Sequence, residues 1–136
     1  MWTTSGLQSV DRTAWRVTEE WPTLRYTGPL NIPLSQYTHL YLKAGASAEM
    51  FPRGVTVLLQ TEAGEHARMT IPLVADQDLH AYIYPLALAN LKGRTVTSLA
   101  INPIRTLATS RNGIIRITEL RLVNLQRQLL EARSQS

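Results

Sequence analysis

The sequence GIIRITELRLV at residues 113–123 carries the pattern that decides the fold. Side chains of an extended strand point alternately to its two faces. Two isoleucines of this stretch share one parity and two leucines share the other: Ile115, Ile117, Leu120 and Leu122. A single inserted residue near 118–119, a β-bulge, would return both pairs to one buried face. The alternative is a strand that is buried on both faces.

Short alternating runs recur along the whole chain, and turn residues separate them. The candidate strands are Thr13–Val17, Leu24–Thr27, Tyr37–Ala44, Val55–Thr61, Ala67–Leu73, Leu79–Leu86, Val96–Asn102 and Ile114–Val123. They predict an all-β fold, an eight-stranded antiparallel β-sandwich of the jelly-roll type. Leucines at helical spacing follow the last strand and predict a short C-terminal helix. We therefore expect a sandwich domain at 1–123 and a helical tail or linker at 124–136.

Composition narrows the class of protein. The chain has 136 residues, 44% of them hydrophobic, which suits one globular domain. No apolar run approaches the roughly 18 residues of a membrane-spanning helix, so no membrane span is predicted. The absence of cysteine excludes disulfides, thiol catalysis and thiolate metal sites, and it leaves the compartment open.

Two of the candidate strands, 37–44 and 79–86, carry aromatic stripes. Alternation separates an aliphatic face in each strand from a face of aromatic and polar side chains. The aromatic and polar faces hold Tyr37, His39, Tyr41, Lys43, His80, Tyr82 and Tyr84. Because the aliphatic faces belong in a core, we expect these side chains to point outward and to form a binding platform.

Three stretches carry a family resemblance: Gly113–Leu122, Leu99–Pro103, and Leu30–Tyr37 with the leucines that follow it. They resemble the closing strand, the penultimate strand and the entry to the third strand of galactose-binding-like jelly rolls, the fold of many carbohydrate-binding modules. The resemblance spans most of residues 12–123. It implies a non-catalytic carbohydrate-binding accessory domain of a larger protein, and it is compatible with an extracytoplasmic bacterial one.

The resemblance also implies where the two stripes lie. In an eight-stranded jelly roll the third and sixth strands are neighbours, and these are the two tyrosine-bearing strands. Neighbouring strands lie about 4.8 Å apart, so the stripes would form one surface. Sugar rings would stack on its tyrosines, while its histidines and Lys43 would supply polar contacts. The stacking tyrosines would be Tyr41, Tyr82 and Tyr84.

Two other functions remain open. The aromatic face could be a protein interface, in a structural or oligomerising sandwich. The basic C-terminal third could bind anions through Arg111, Arg116, Arg121 and Arg127. We expect a glycan or polysaccharide as the partner, with a protein partner or homo-oligomer as the alternative, and no nucleic acid.

Metal and catalytic chemistry find little support in the sequence. Relatives of this fold frequently hold a structural calcium, for which Glu20 and Glu119 are the candidates. The six to eight oxygen ligands that calcium needs cannot be assembled from the sequence, so a surface pairing of Glu119 with an arginine is favoured. Asp76, Asp78 and His80 alternate in a way that suits a metal or an aspartate-capped turn, and we favour the turn. No catalytic motif is present, so no enzyme and no cofactor are predicted.

Overall fold

The chain folds into two stacked sheets in a computed structural model, which describes residues 2–19, 22–26, 28–48, 54–91, 95–103 and 113–126. The strands in these ranges are β1 (Trp2–Ser5), β2 (Leu7–Ser9), β3 (Ala14–Val17), β4 (Thr23–Tyr26), β5 (Ile32–Pro33), β6 (His39–Ala46), β7 (Gly54–Thr61), β8 (His66–Pro72), β9 (His80–Pro85), β10 (Thr95–Pro103) and β11 (Ile114–Val123). Short 3-10 helices at Leu34–Gln36 and Leu86–Ala89 follow β5 and β9.

All the predicted strands are present, with slightly different ends, as β3, β4 and β6 to β11. The described part of the chain has 11 strands rather than eight, because β1, β2 and β5 are additional. These three are 4, 3 and 2 residues long. A run of two or three residues contains too little alternation to be recognised in the sequence, and β1, although as long as β3 and β4, has only one apolar residue in WTTS.

The strands form a sandwich of two antiparallel sheets. Sheet A has the order β1-β4-β10-β7-β8, with β5 also paired to β10, and sheet B has the order β2-β3-β11-β6-β9. Exposed and buried residues alternate along the whole of β8, as in a strand with one face in a core. The inner faces bury Leu42 and Ile115 from sheet B against Met69 and Ile101 from sheet A. The predicted all-β sandwich is confirmed.

The predicted β-bulge lies in β11 at Thr118. Ile117 pairs with Ala44 of β6 and Glu119 pairs with Lys43, so Thr118 has no partner in the register. The isoleucines before the bulge are buried, and the leucines after it pack against the same core. The charged side chains that alternate with those leucines, Glu119 and Arg121, are exposed. The bulge is therefore confirmed, and a strand buried on both faces is wrong.

The chain beyond β11 is tied to the segment before β6. The side-chain amide of Asn124 donates to the carbonyl of Gln36 at 3.1 Å, and the N–H of Leu125 donates to Thr38 Oγ1 at 3.0 Å. Most of the predicted helical tail lies outside the described residues. Among the described helices, none is long and apolar enough to cross a membrane.

Candidate ligand-binding site

The two tyrosine-bearing strands are neighbours in sheet B, as predicted. β6 pairs with β9, with Leu42 opposite Tyr82 and Tyr41 opposite Ile83. Directly opposed residues of an antiparallel pair share one face of the sheet. Tyr82 therefore lies on the face of buried Leu42, whereas Tyr41 lies on the outer face beside Ile83.

The expectation that both stripes face outward is wrong for β9. Three of the predicted side chains lie on its inner face, namely His80, Tyr82 and Tyr84. The two tyrosines are half-buried against the core, and the Tyr82 hydroxyl accepts a hydrogen bond from the Val74 N–H at 2.9 Å. Aliphatic residues face outward in their place, with Ile83 52% exposed and Leu79 37% exposed. The two stripes lie on opposite faces of sheet B.

The reason for this reversal is the place of β9 in the sheet. β9 is an edge strand of sheet B, so its inner face meets the rim of the sandwich rather than its centre. Tyrosine suits a rim, because its ring packs on apolar neighbours while its hydroxyl reaches a polar partner. An aliphatic run that would signal a core in a central strand is exposed here.

The outer face of sheet B keeps only part of the predicted platform: His39, Tyr41 and Lys43. The guanidinium carbon of Arg121 lies 4.8 Å from the centre of the Tyr41 ring, so a cation already covers one side of that ring. His39 Nδ1 shares a 2.8 Å hydrogen bond with Thr38 Oγ1. Tyr37 precedes β6, and its N–H donates to the carbonyl of Leu34. The face holds one partly covered tyrosine instead of a stripe.

The segment from Asp76 to His80 forms the predicted turn. Asp76 Oδ1 accepts a hydrogen bond from the Asp78 N–H at 3.0 Å. His80 Nε2 donates to both oxygens of the same carboxylate, at 2.9 and 2.8 Å. The hydrogen bond from His80, followed by that from the Asp78 backbone, lowers the pKa of Asp76. Across the described ranges, no group of three or more His, Cys, Asp or Glu could hold a metal ion.

The lowered pKa of Asp76 predicts a loss of stability in acid. A carboxyl group with a lower pKa in the folded state stabilises the fold above its unfolded pKa, near about 4, and that stabilisation is lost as the pH falls through the folded pKa. We expect Asp76→Asn to lower the thermal unfolding midpoint at pH 7 but to reduce its fall between about pH 5 and pH 2. The matched control is Asp78→Asn, which should leave the acid dependence as in wild type, because the Asp78 carboxylate forms no hydrogen bond with another described residue. An equal acid dependence in wild type and Asp76→Asn would contradict the assignment.

The C-terminal arginines that the structure describes are engaged with neighbours. Arg116 donates to both carboxylate oxygens of Asp11, at 3.2 and 2.9 Å, and to Thr13 Oγ1 at 2.8 Å. The Thr13 N–H is the main cause of the lowered pKa of Asp11, and Arg116 is the next. Arg121 Nε lies 3.5 Å from Glu119 Oε2.

The pairing of Arg121 with Glu119 is the surface contact that the sequence favoured for Glu119 over a calcium site. The other residues of the anion-binding and calcium hypotheses lie outside the described residues: Glu20, Arg111 and Arg127. The calcium prediction therefore stays untested.

The outer face of sheet A, which the sequence did not single out, carries a groove of about 190 Å³. Leu58 of β7 and Ala100 of β10 lie opposite each other and form its floor. Arg25 of β4 lies opposite Ala100 on one side, and Arg68 of β8 lies opposite Leu58 on the other. The next row across the groove consists of Ser98, Gln60 and His66.

The walls of this groove are polar, and their side chains have no hydrogen-bond partner among the described residues. No hydrogen bond or ion pair joins the side chains of Arg25, Gln60, His66, Arg68 or Ser98 to any other residue that the structure describes. These side chains offer guanidinium, amide, imidazole and hydroxyl groups around an apolar floor. Such an arrangement suits a ligand that has many hydroxyl groups and an apolar face.

One local signal could have indicated the groove. The alternation of β8 places His66, Arg68 and Thr70 together on its exposed face. Arg25 belongs to a strand far away in the sequence, and it joins the groove through the register of β4 on β10. No short-range pattern encodes that register.

Comparisons with known proteins identify the architecture. No protein-family model matches the chain, and no curated protein matches it. A family 29 carbohydrate-binding module, solved as a mutant complexed with mannohexaose, is similar over 89% of this chain and 79% of its own, with 15% identity and a TM-score of 0.51. The family 11 carbohydrate-binding module of the cellulosomal cellulase Lic26A-Cel5E of Clostridium thermocellum is similar over 91% and 82%, with 9% identity and a TM-score of 0.58. The chain therefore has the jelly-roll fold of carbohydrate-binding modules, as the resemblance implied.

Proposed function

We propose that this domain binds an oligosaccharide, without catalysis, in the groove on the outer face of sheet A. One observation carries the proposal: a groove of about 190 Å³ lies open on a sheet face and is lined by polar side chains without partners among the described residues. The fold supports it as well, because its neighbours are carbohydrate-binding modules, one of them complexed with mannohexaose. An accessory role beside other domains of a larger protein follows from this reading.

The chemistry of the groove suits a sugar chain. Each sugar hydroxyl can donate and accept hydrogen bonds, and Gln60, Ser98 and His66 offer both kinds of group. The C–H face of a sugar ring would pack on the half-buried side chain of Leu58, where burial of apolar surface is favourable. Aliphatic packing takes the place of the tyrosine stacking expected from the sequence, since the imidazole of His66 is the only aromatic group among the described residues that line the groove.

The test is a glycan array followed by calorimetric titration of the best ligand. We expect Gln60→Ala/His66→Ala to weaken binding about thirtyfold, because each lost hydrogen bond contributes about 1 kcal/mol. The matched control is Tyr41→Ala, which removes a larger side chain from the outer face of the opposite sheet. Binding that survives in the groove variant and is lost in Tyr41→Ala would place the ligand on sheet B, beside His39 and Lys43.

A protein interface on the outer face of sheet B is the second candidate function. The observation in its favour is the exposure of Leu79 and Ile83 along the edge strand β9. Exposed apolar side chains on an edge strand are typical of surfaces that pair with another chain. Light scattering on the sample used for the array separates the candidates, because a dimer that binds no glycan favours the interface.

A further inference from the structure

Two arginines stand on opposite walls of the groove. Arg25 and Arg68 lie in one row across β4, β10, β7 and β8, with Ala100 and Leu58 between them. Three strand spacings separate their backbones, which is about 14 Å. Both side chains are exposed, so each guanidinium can lean over the floor from its own wall. A short oligosaccharide along the floor would reach both cations.

Among the described residues of this face, no carboxylate neutralises the two arginines. The outward side chains of β4, β7, β8 and β10 that the structure describes include no Asp or Glu. The acidic residues of the β7–β8 hairpin lie in its turn, where Glu62 accepts a hydrogen bond from the Thr95 N–H at 2.8 Å and Glu65 accepts one from Thr61 Oγ1 at 3.4 Å.

The two arginines of β11 contrast with those of the groove. Arg116 and Arg121 each lie against a carboxylate, at Asp11 and Glu119 respectively. Arg25 and Arg68 have no such partner among the described residues. The groove therefore holds two cations that are not neutralised locally, in a chain whose formal net charge is already +4.

We infer that the groove selects acidic glycans, whose sugar rings carry carboxylate or sulfate groups. The inference rests on the proposed function, because it concerns the ligand of the same groove. A guanidinium binds a planar carboxylate through two parallel hydrogen bonds, and charge-assisted bonds of this kind are about twice as strong as neutral ones. A polyuronate carries a carboxylate on every ring, so a single chain offers an anion to each wall while its C–H faces pack on Leu58.

The experiment compares hexagalacturonate, a sulfated galactan hexasaccharide and neutral mannohexaose as ligands of the whole chain, by calorimetric titration. We expect at least one of the anionic ligands to bind about tenfold or more tighter than mannohexaose, with an affinity that falls as salt increases. Arg25→Gln/Arg68→Gln should weaken binding of the anionic ligand by about tenfold for each arginine. Binding of mannohexaose should weaken much less. Arg25→Lys/Arg68→Lys, which keeps the charge, should recover part of the affinity.

The matched control is Arg12→Gln/Arg16→Gln, which removes the same charge from the β2–β3 region of the other sheet. An equal loss of affinity in this control would overturn the inference, because net charge rather than the groove would then hold the ligand. Equal binding of mannohexaose and both anionic ligands, unchanged by the groove arginines, would overturn selectivity and leave the proposed function intact. Binding of none of the three, together with no binding on the glycan array, would overturn both. A preference for hexagalacturonate over the sulfated galactan assigns the recognised group as carboxylate, and the reverse assigns it as sulfate.

Discussion

We expect deletion of Tyr41 to abolish folding, and deletion of Thr118, from the strand paired with it, to leave the domain folded. Removing one residue from the interior of β6 reverses the faces of all residues that follow it in the strand. Leu42 and Ala44, both fully buried, would turn to solvent, and Lys43 would turn into the core. Exposing one leucine costs about 2–3 kcal/mol and burying an unpaired ammonium costs more. The sum is comparable to the whole stability of a small domain, about 5–15 kcal/mol.

Thr118 is the exception because it is the bulged residue. Without it, Glu119 directly follows Ile117 and the strand alternates regularly, so the leucines beyond it keep their inward face. The deletion removes a hydrogen bond of 3.3 Å from Thr118 Oγ1 to the Lys43 carbonyl, which is exposed. We expect a loss of no more than about 2 kcal/mol, measured by urea unfolding with circular dichroism. Unfolding of both deletion variants, or of neither, would contradict the register of β11 on β6.

We expect Tyr82→Ala to destabilise the domain more than Ile83→Ala does, although isoleucine is the more typical core residue. Tyr82 is half-buried against the core, and its hydroxyl accepts the Val74 N–H. Removal of a buried aromatic side chain costs about 3–5 kcal/mol, and partial burial reduces this to about 2–3. Ile83 is 52% exposed, so its truncation should cost less than about 1 kcal/mol. Urea unfolding of the two variants measures the difference.

Tyr82→Phe is the control for the hydroxyl group. It removes only the contact with Val74, which lies at an exposed position, so we expect a loss of less than about 1 kcal/mol. The remainder of the Tyr82→Ala effect then comes from packing of the ring. A larger loss for Ile83→Ala than for Tyr82→Ala would mean that the inner and outer faces of β9 are exchanged.

The sequence predicts those features of the fold that depend on local alternation. The parity change between Ile117 and Leu120 predicts the bulge, because two aliphatic pairs must share one core. The long strands are predicted because their side chains alternate over enough residues for the pattern to be recognised. The pairing of the two tyrosine strands comes from the family resemblance and is also found.

The sequence does not predict which face of β9 is buried. Its alternation separates Tyr82 and Tyr84 from Ile83, but it does not say which set faces the core. Hydrophobicity alone selects the aliphatic set, and this choice fails because β9 lies at the edge of its sheet. Position within a sheet depends on the whole topology, which is a long-range property.

The groove cannot be predicted from the sequence for a related reason. Its two arginines are 43 positions apart in the chain and meet only through the register of four strands. Each of them looks like an ordinary solvated charge in its own strand. Only the assembled sheet brings them to one row with Ala100 and Leu58 between them.

The most direct test of the account is an amide NMR titration of the whole chain with hexagalacturonate and mannohexaose. Chemical shifts report ligand contact residue by residue, so they separate the two sheet faces without any mutation. We expect the perturbed amides to cluster on the groove strands around Arg25, Leu58, Arg68 and Ala100. The shift changes should saturate at a lower concentration of hexagalacturonate than of mannohexaose. Perturbations centred on Tyr41 and Ile83, with the groove strands unchanged, would contradict it.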